Sequence, residues 1–154
     1  RVVLTGGPSD LEADYGERLA VSSEATNLVG RSSLKQLAAL IAASDLVICP
    51  DSGPAHMATA LGTTVIGLYA SSNPQRTGPY LSQKYTINRY PDAIRRYLGR
   101  NVDDIRWGQR VRHADVMELI KVEDVTQVID DFFDKPIEKP GRSVSRLLPL
   151  DRHG

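Results

Sequence analysis

The sequence predicts an α/β fold built on a doubly wound parallel sheet, and three observations carry that expectation. Short apolar runs at residues 2–4, 27–29, 45–49 and 64–68 alternate with helical patterns. The runs are apolar throughout, as strands are when helices cover both faces of a parallel sheet. Polar turns follow these strands, so they gather at the carboxyl rim, where ligands of such folds bind.

The elements follow in order. The first strand ends at Thr5-Gly6-Gly7-Pro8-Ser9-Asp10, a glycine-containing turn with an acidic helix start. The next helix, about 11–21, carries Leu11, Tyr15 and Leu19 on one apolar face. After the strand at 27–29, Gly30-Arg31-Ser32-Ser33 caps a helix whose Leu34, Leu37, Ala38 and Ile41 form a second stripe. The strand at 45–49 enters the turn at Asp51, a short helix and the strand at 64–68. The loop over 70–80 is too long for a simple connection, and loops of that size are usually functional or mobile. A final strand is expected at 84–88. Residues 91–98 read as a helix burying Ala93, Ile94, Tyr97 and Leu98, and Trp107 is expected to anchor the segment after it. Two more helices follow at 114–120 and 122–133, the second with Val125, Val128, Ile129 and Phe132 on one face and Glu123 and Asp124 at its positive end. Three prolines beyond Lys135 mark an extended tail, so residues 1–134 are expected to form the domain and 135–154 the tail.

A chain of 154 residues is long enough for one well-packed domain. Its 19 basic and 19 acidic residues balance, so no global field recruits nucleic acid, and no nucleic-acid partner is expected. Residues 84–112 are the exception, with eight basic side chains against three acidic ones. Such a stretch is a solvated face in its simplest reading; its functional reading is an anionic acceptor or the headgroups of a membrane surface touched peripherally. The single cysteine, Cys49, lies inside an apolar run and reads as a small buried side chain in a reducing compartment. His56, His113 and His153 lack metal-ligand spacing, so no metal site and no cofactor are expected. With no signal peptide and no apolar run long enough to cross a bilayer, a cytoplasmic setting is expected, at the inner face of the cytoplasmic membrane if the basic stretch meets headgroups. Arg1 enters directly on a strand with no initiator Met, which is expected of a piece of a longer chain.

Chemistry concentrates in Asp51-Ser52-Gly53-Pro54-Ala55-His56. Asp51 and Ser52 stand where helix N-caps belong, Gly53 allows close backbone approach, and Pro54 suits the first helical position. Free N–H groups and the positive end of the helix then make an anion site, with His56 in the first turn facing the same ligand. Ala55, Ala58 and Ala60 keep that helix small enough for a ligand to come near. A carboxylate beside phosphates would repel them, so Asp51 should cap its helix or bind hydroxyls. A diphosphate lying next to polyols, as in a nucleotide sugar, answers both demands. Competing motifs are poorly met: Gly6-Gly7-Pro8 lacks the three-glycine dinucleotide spacing and the P-loop Lys-Ser/Thr, and Ser52 is not in a G-x-S-x-G elbow.

At these residues the chain resembles glycosyltransferase family 9, the ADP-heptose:lipopolysaccharide heptosyltransferases. The resemblance rests on Asp51-Ser52-Gly53-Pro54-Ala55-His56, Ala58, Ala60, Gly62-Thr63-Thr64 and the strand after them. Leu4-Thr5-Gly6-Gly7-Pro8, Gly30-Arg31-Ser32-Ser33-Leu34, Ser72-Asn73-Pro74 and Thr77-Gly78-Pro79 support it, so it covers residues 1–80. It implies a Rossmann-like domain, the C-terminal, donor-binding half of a GT-B glycosyltransferase. It also implies metal-independent, inverting transfer of heptose from ADP-heptose to the lipopolysaccharide inner core. On that basis Asp51 would bind sugar hydroxyls, Ser52, Gly53 and His56 would hold the diphosphate, Ser32 would lie by the adenine and Glu12 by the ribose. His56 would also stabilise the leaving group. The catalytic base, the acceptor site and a phosphate-contacting lysine belong to parts of the family's chain that this sequence does not contain, so no catalytic base is assigned within it. Two other readings stay open: another GT-B glycosyltransferase or nucleotide-sugar epimerase, and a non-catalytic α/β interaction module.

Overall fold

The computed structural model describes residues 1–134, and the tail expected over 135–154 lies outside them. Strand and helix alternate as expected: β1 (Val3–Leu4), α1 (Asp10–Ser22), β2 (Thr26–Asn27), α2 (Leu34–Ala43), β3 (Leu46–Pro50), α3 (Gly53–Leu61), β4 (Thr64–Tyr69), α4 (Pro74–Thr77) and β5 (Ile87–Asn88). Then come α5 (Tyr90–Ala93), which continues as a π-helical turn over Ile94–Leu98, and α6 (Val122–Asp134). Single 3₁₀ segments span Gln83–Tyr85, Val102–Asp104 and Ala114–Leu119, so the expected helix at 114–120 winds more tightly than an α-helix and the final strand is shorter than expected.

Every strand pairing is parallel. β3 runs beside β4 from Leu46↔Thr64 to Pro50↔Leu68, and β4 meets β5 at Leu68↔Ile87 and Tyr69↔Asn88. β1 pairs with β2 at Val3↔Thr26 and Leu4↔Asn27. Among the described residues these are two blocks, β1-β2 and β3-β4-β5, where the sequence led us to expect one sheet. Helix α2 packs on α3.

The core explains which sequence patterns were read correctly. Ile41 of α2, Cys49 of β3, Ala55 and Ala58 of α3 and Val65 of β4 pack together, and Thr63 Oγ1 donates to Ile41 O at 2.8 Å. Ala55 and Ala58 therefore keep α3 close to the sheet, and their small size serves that packing rather than the approach of a ligand. A second cluster, centred on Tyr90, Ala93, Ile94, Val111 and Val116, seats the C-terminal half. The loop over 70–80 is packed in, with Ser72, Asn73 and Pro79 buried.

Four apolar expectations fail. Leu11, Tyr15 and Leu19 are all more than half exposed, because α1 meets β2 through Gly16. A Cβ there would stand 2.8 Å from Val29 Cγ2, so the helix turns its glycine inward and its apolar stripe outward. Leu34, in the first turn of α2, is 72% exposed, and Leu98 also lies at the surface. Trp107 is 60% exposed and anchors nothing. Its segment is held instead by Val111, whose N–H donates to Ser71 O at 2.9 Å, and by Tyr90 Oη donating to Gln109 O at 2.6 Å.

Helix α6 is tied down at its start. Arg89 Nε and Nη2 donate to the two Asp124 oxygens at 3.2 and 2.6 Å, and Lys121 N donates to Oδ2 at 3.0 Å. Further along, buried Phe132 meets Tyr85 edge-on, ring centres 5.6 Å apart.

Two outcomes follow from this packing. Ala58→Leu overfills the α3–sheet contact and is expected to cost about 1–3 kcal/mol in denaturant unfolding; an unchanged midpoint would mean that α3 is not clamped there. The Arg89 fork, and after it the Lys121 N–H, hold the Asp124 carboxyl below its ordinary value. A depressed folded-state value means that this stabilisation is complete above the unfolded carboxyl value of about 3.9 and is lost as pH falls through the lower folded one. Thermal unfolding followed between about pH 2 and 6 should therefore be less acid-sensitive in Asp124→Asn than in the wild type; an unaltered acid slope contradicts the assignment.

Candidate functional site

The carboxyl end of β3 carries the site. β3 delivers Asp51 and Ser52 to the rim, and α3 begins at Gly53 with Ser52 as its N-cap residue. Pro54 is thus the second helical residue, one later than its sequence signature suggests. Neither expected cap is made. Ser52 Oγ donates back to Pro50 O at 3.1 Å and caps no helix N–H. Ala55 N donates to Ser52 O at 3.1 Å, while the Gly53 N–H has no partner among the described residues. The helix start is left with its positive end open, the condition for binding an anion.

Gly53 sharpens that reading. Its backbone is outside the left-handed region, and a Cβ would meet nothing within 4 Å. Among the described residues neither strain nor packing calls for glycine here. His56, one turn into α3, is exposed, and its ring makes no hydrogen bond among the described residues.

Asp51 is placed differently from expectation. Arg110 Nη2 donates to Asp51 Oδ2 at 2.7 Å, and the Asp51 side chain is only 9% exposed. One carboxylate oxygen is committed to a cation 59 residues away, and Oδ1 is left for a second partner. Two neighbours below the rim are chemically quiet. Burial pushes the Cys49 thiol up to about 11, with the Ser52 hydroxyl pulling more weakly the other way, so no thiolate nucleophile is present near neutral pH. Burial first, then the negative charges of Asp51 and Cys49, raise the Tyr69 phenol well above its usual value; it stays protonated and donates to Thr77 O at 3.0 Å.

The other two expected site residues belong to the β1–β2 block. Glu12 is occupied by its own turn: Oε1 accepts from Gly7 N at 3.1 Å and Oε2 from Ser9 Oγ at 2.7 Å. These bonds, Ser9 first, hold its carboxyl below the ordinary range. Ser32 is half-buried and leaves the capping of α2 to Ser33, whose Oγ accepts from Gln36 N while Gln36 Oε1 accepts from Ser33 N. The two turns touch, Gly30 N donating to Gly6 O at 3.1 Å. The structure thus brings Asp51, Ser52, Gly53 and His56 together and sets Glu12 beside the turn that carries Ser32, with no hydrogen bond between the two groups among the described residues.

Sequence reasoning missed Arg110 in this site, and no local signal could have found it. It also missed a cleft of about 330 Å³ at the carboxyl ends of β4 and β5, lined by polar Asn73, Asn88, Arg95 and Asp103 and by Tyr90, Pro91 and Val102. None of the expected site residues lines that cleft.

Comparison with known proteins places the chain in a family. The family model for glycosyltransferase family 9 (heptosyltransferase) matches residues 1–96, which include all five strands and the Asp51 turn. Lipopolysaccharide core heptosyltransferase OpsX of Haemophilus influenzae is 38% identical over 126 residues, covering 80% of this chain and 36% of that protein. Lipopolysaccharide heptosyltransferase 2 of Salmonella typhimurium is 39% identical over 93 residues, 58% of this chain and 26% of that protein. Among solved structures, E. coli ADP-heptose lps heptosyltransferase II superposes with a TM-score of 0.58 at 24% identity, over 86% of this chain and 36% of that one. The family 9 glycosyl transferase of Veillonella parvula gives 0.61 at 23% identity over the same shares. These two likenesses establish the fold. The chain spans about a third of the length of these relatives. With more than half of its length inside the family match, and with the open Gly53 helix start within that match, the chain belongs to glycosyltransferase family 9.

Proposed function

We propose that this chain is the nucleotide-sugar-binding part of a heptosyltransferase and holds the diphosphate of ADP-heptose on the N-terminus of α3. One observation carries the reading: within the family-matched region, an uncapped helix start presents the Gly53 N–H and an exposed His56 beside a glycine that nothing among the described residues requires. The curated relatives are lipopolysaccharide heptosyltransferases, which supports heptose as the sugar transferred.

In this role the Gly53 N–H and the helix dipole meet the phosphates, and Ser52 lies at the same edge with its hydroxyl free to turn from Pro50 O to a phosphate oxygen. When the glycosidic bond to the diphosphate breaks, negative charge grows on the departing ADP, and N–H groups fixed by the fold stabilise it without reorganising. His56, when protonated, adds a charge-assisted hydrogen bond to the same oxygens. Asp51 Oδ1 accepts from a sugar hydroxyl. Ser32 faces the adenine and Glu12 the ribose, Glu12 first releasing a bond to Gly7 or Ser9. The acceptor, the lipopolysaccharide core, and the base that activates its hydroxyl are met by parts of the enzyme outside this chain. No helix among the described residues is long and apolar enough to cross a membrane, so contact with a membrane-borne acceptor would be peripheral, through the basic stretch at 84–112.

Calorimetric titration with ADP, UDP and GDP tests the donor class: ADP is expected to bind most tightly. Preference for UDP or GDP would point to another GT-B enzyme or an epimerase, and no binding of any of them to a non-catalytic module. Gly53→Ala is expected to change folding stability by less than about 1 kcal/mol while weakening ADP at least several-fold, since the new methyl group stands where the phosphates approach. His56→Ala should likewise weaken ADP and leave stability within about 0.5 kcal/mol; a matching loss of stability would make His56 structural.

A further inference from the structure

The pairing of Asp51 with Arg110 is better built than a surface ion pair. Arg110 sits between two fixed neighbours, Gln109, whose carbonyl accepts from Tyr90 Oη at 2.6 Å, and Val111, 2% exposed and bonded to Ser71 O at 2.9 Å. The backbone is therefore anchored on both sides of the arginine. Its guanidinium reaches a carboxylate that is itself nine-tenths covered, while the Arg110 side chain stays 47% exposed.

Placement gives this pair a consequence. Asp51 lies two residues before Gly53, the first residue of α3, so its Cα stands within about 7 Å of the Gly53 Cα. That is inside the screening length of about 8 Å at physiological salt. An unpaired carboxylate there would oppose any diphosphate settling on α3. Resting on the donor-site reading above, we propose that Arg110 is a positioning residue of the diphosphate site: it neutralises Asp51 beside the helix start and fixes its carboxylate so that Oδ1 alone faces the ligand. The site thus depends on a cation from the segment after α5, beyond the part of the chain that the family model matches.

Charge repulsion and structural support predict different patterns, and a double-mutant cycle separates them. The 154-residue protein and its Arg110→Ala, Arg110→Lys, Asp51→Asn and Asp51→Asn/Arg110→Ala variants are titrated with ADP and AMP, with circular dichroism checking the fold. Arg110→Ala is expected to weaken ADP about tenfold, or about 1.4 kcal/mol, and the less charged AMP by clearly less. Arg110→Lys, which keeps the charge, should retain most of the affinity. Asp51→Asn should bind ADP at least as well as the wild type, and adding Arg110→Ala to it should cost no more than about twofold. Equal losses for ADP and AMP, or an Asp51→Asn variant as weak as Arg110→Ala, would overturn the proposal. If Arg110→Ala fails to fold, the Asp51→Asn and Arg110→Lys results decide alone. Should Gly53→Ala weaken ADP while Arg110→Ala does not, the role of Arg110 falls and the donor site stands; should the wild type bind neither nucleotide, the donor site itself falls.

Discussion

Everything at the rim depends on the contact between α3 and the β3–β4 pair. Ala55 and Ala58 are 1% and 0% exposed, and fully buried Val65 of β4 packs with them, its burial contributing about 1.5–3 kcal/mol. A helix this close to its sheet cannot tilt or slide without opening the core. Its N-terminus is therefore fixed in space just past the carboxyl end of β3, and the open N–H of Gly53 is aimed by packing remote from any ligand. Preorganisation of this kind is what allows backbone dipoles to stabilise developing charge.

The second constraint is electrostatic and comes from far along the chain. In the proposed site a helix start suited to phosphates sits two residues from a carboxylate that would repel them, and Arg110 Nη2 donates to that carboxylate at 2.7 Å. The same segment is anchored through Tyr90 and Ser71, so the second core cluster, which looks remote from the rim, bears on its charge. Burial of Cys49 and Tyr69 directly below keeps both in their neutral forms, so the field at the rim comes from Asp51, Arg110 and the helix end.

How much of this was legible beforehand varied with the range of the interaction. The strand, turn, helix and strand from Leu46 to Tyr69 could be read because local signals agree there: apolar runs without alternation, a polar turn, and Pro54 near a helix start. The α1 face was misread because periodicity marks a stripe without saying whether a partner covers it, and Gly16, with no side chain to score, makes the real contact. Of the α3 alanines assigned to a ligand, Ala55 and Ala58 belong to the core and Ala60 is exposed. Asp51 and Ser52 have the composition of caps, but a contact 59 residues away draws one to Arg110 and a local bond turns the other back to Pro50. The Arg110 contact, spanning 59 residues, and the break between the two strand blocks are properties of the folded topology, which no local window contains.

Membership of glycosyltransferase family 9 and the open helix start meet at one set of backbone amides, those of residues 52–57, of which Pro54 has none. Amide chemical-shift mapping of the 154-residue protein during an ADP titration addresses them directly. A diphosphate seated on α3 should move Gly53 and its neighbours first and furthest, with smaller shifts at the turns carrying Ser32 and Glu12. Shifts confined to the cleft at Asn73 and Asn88, with residues 52–57 unmoved at saturating ADP, would contradict it.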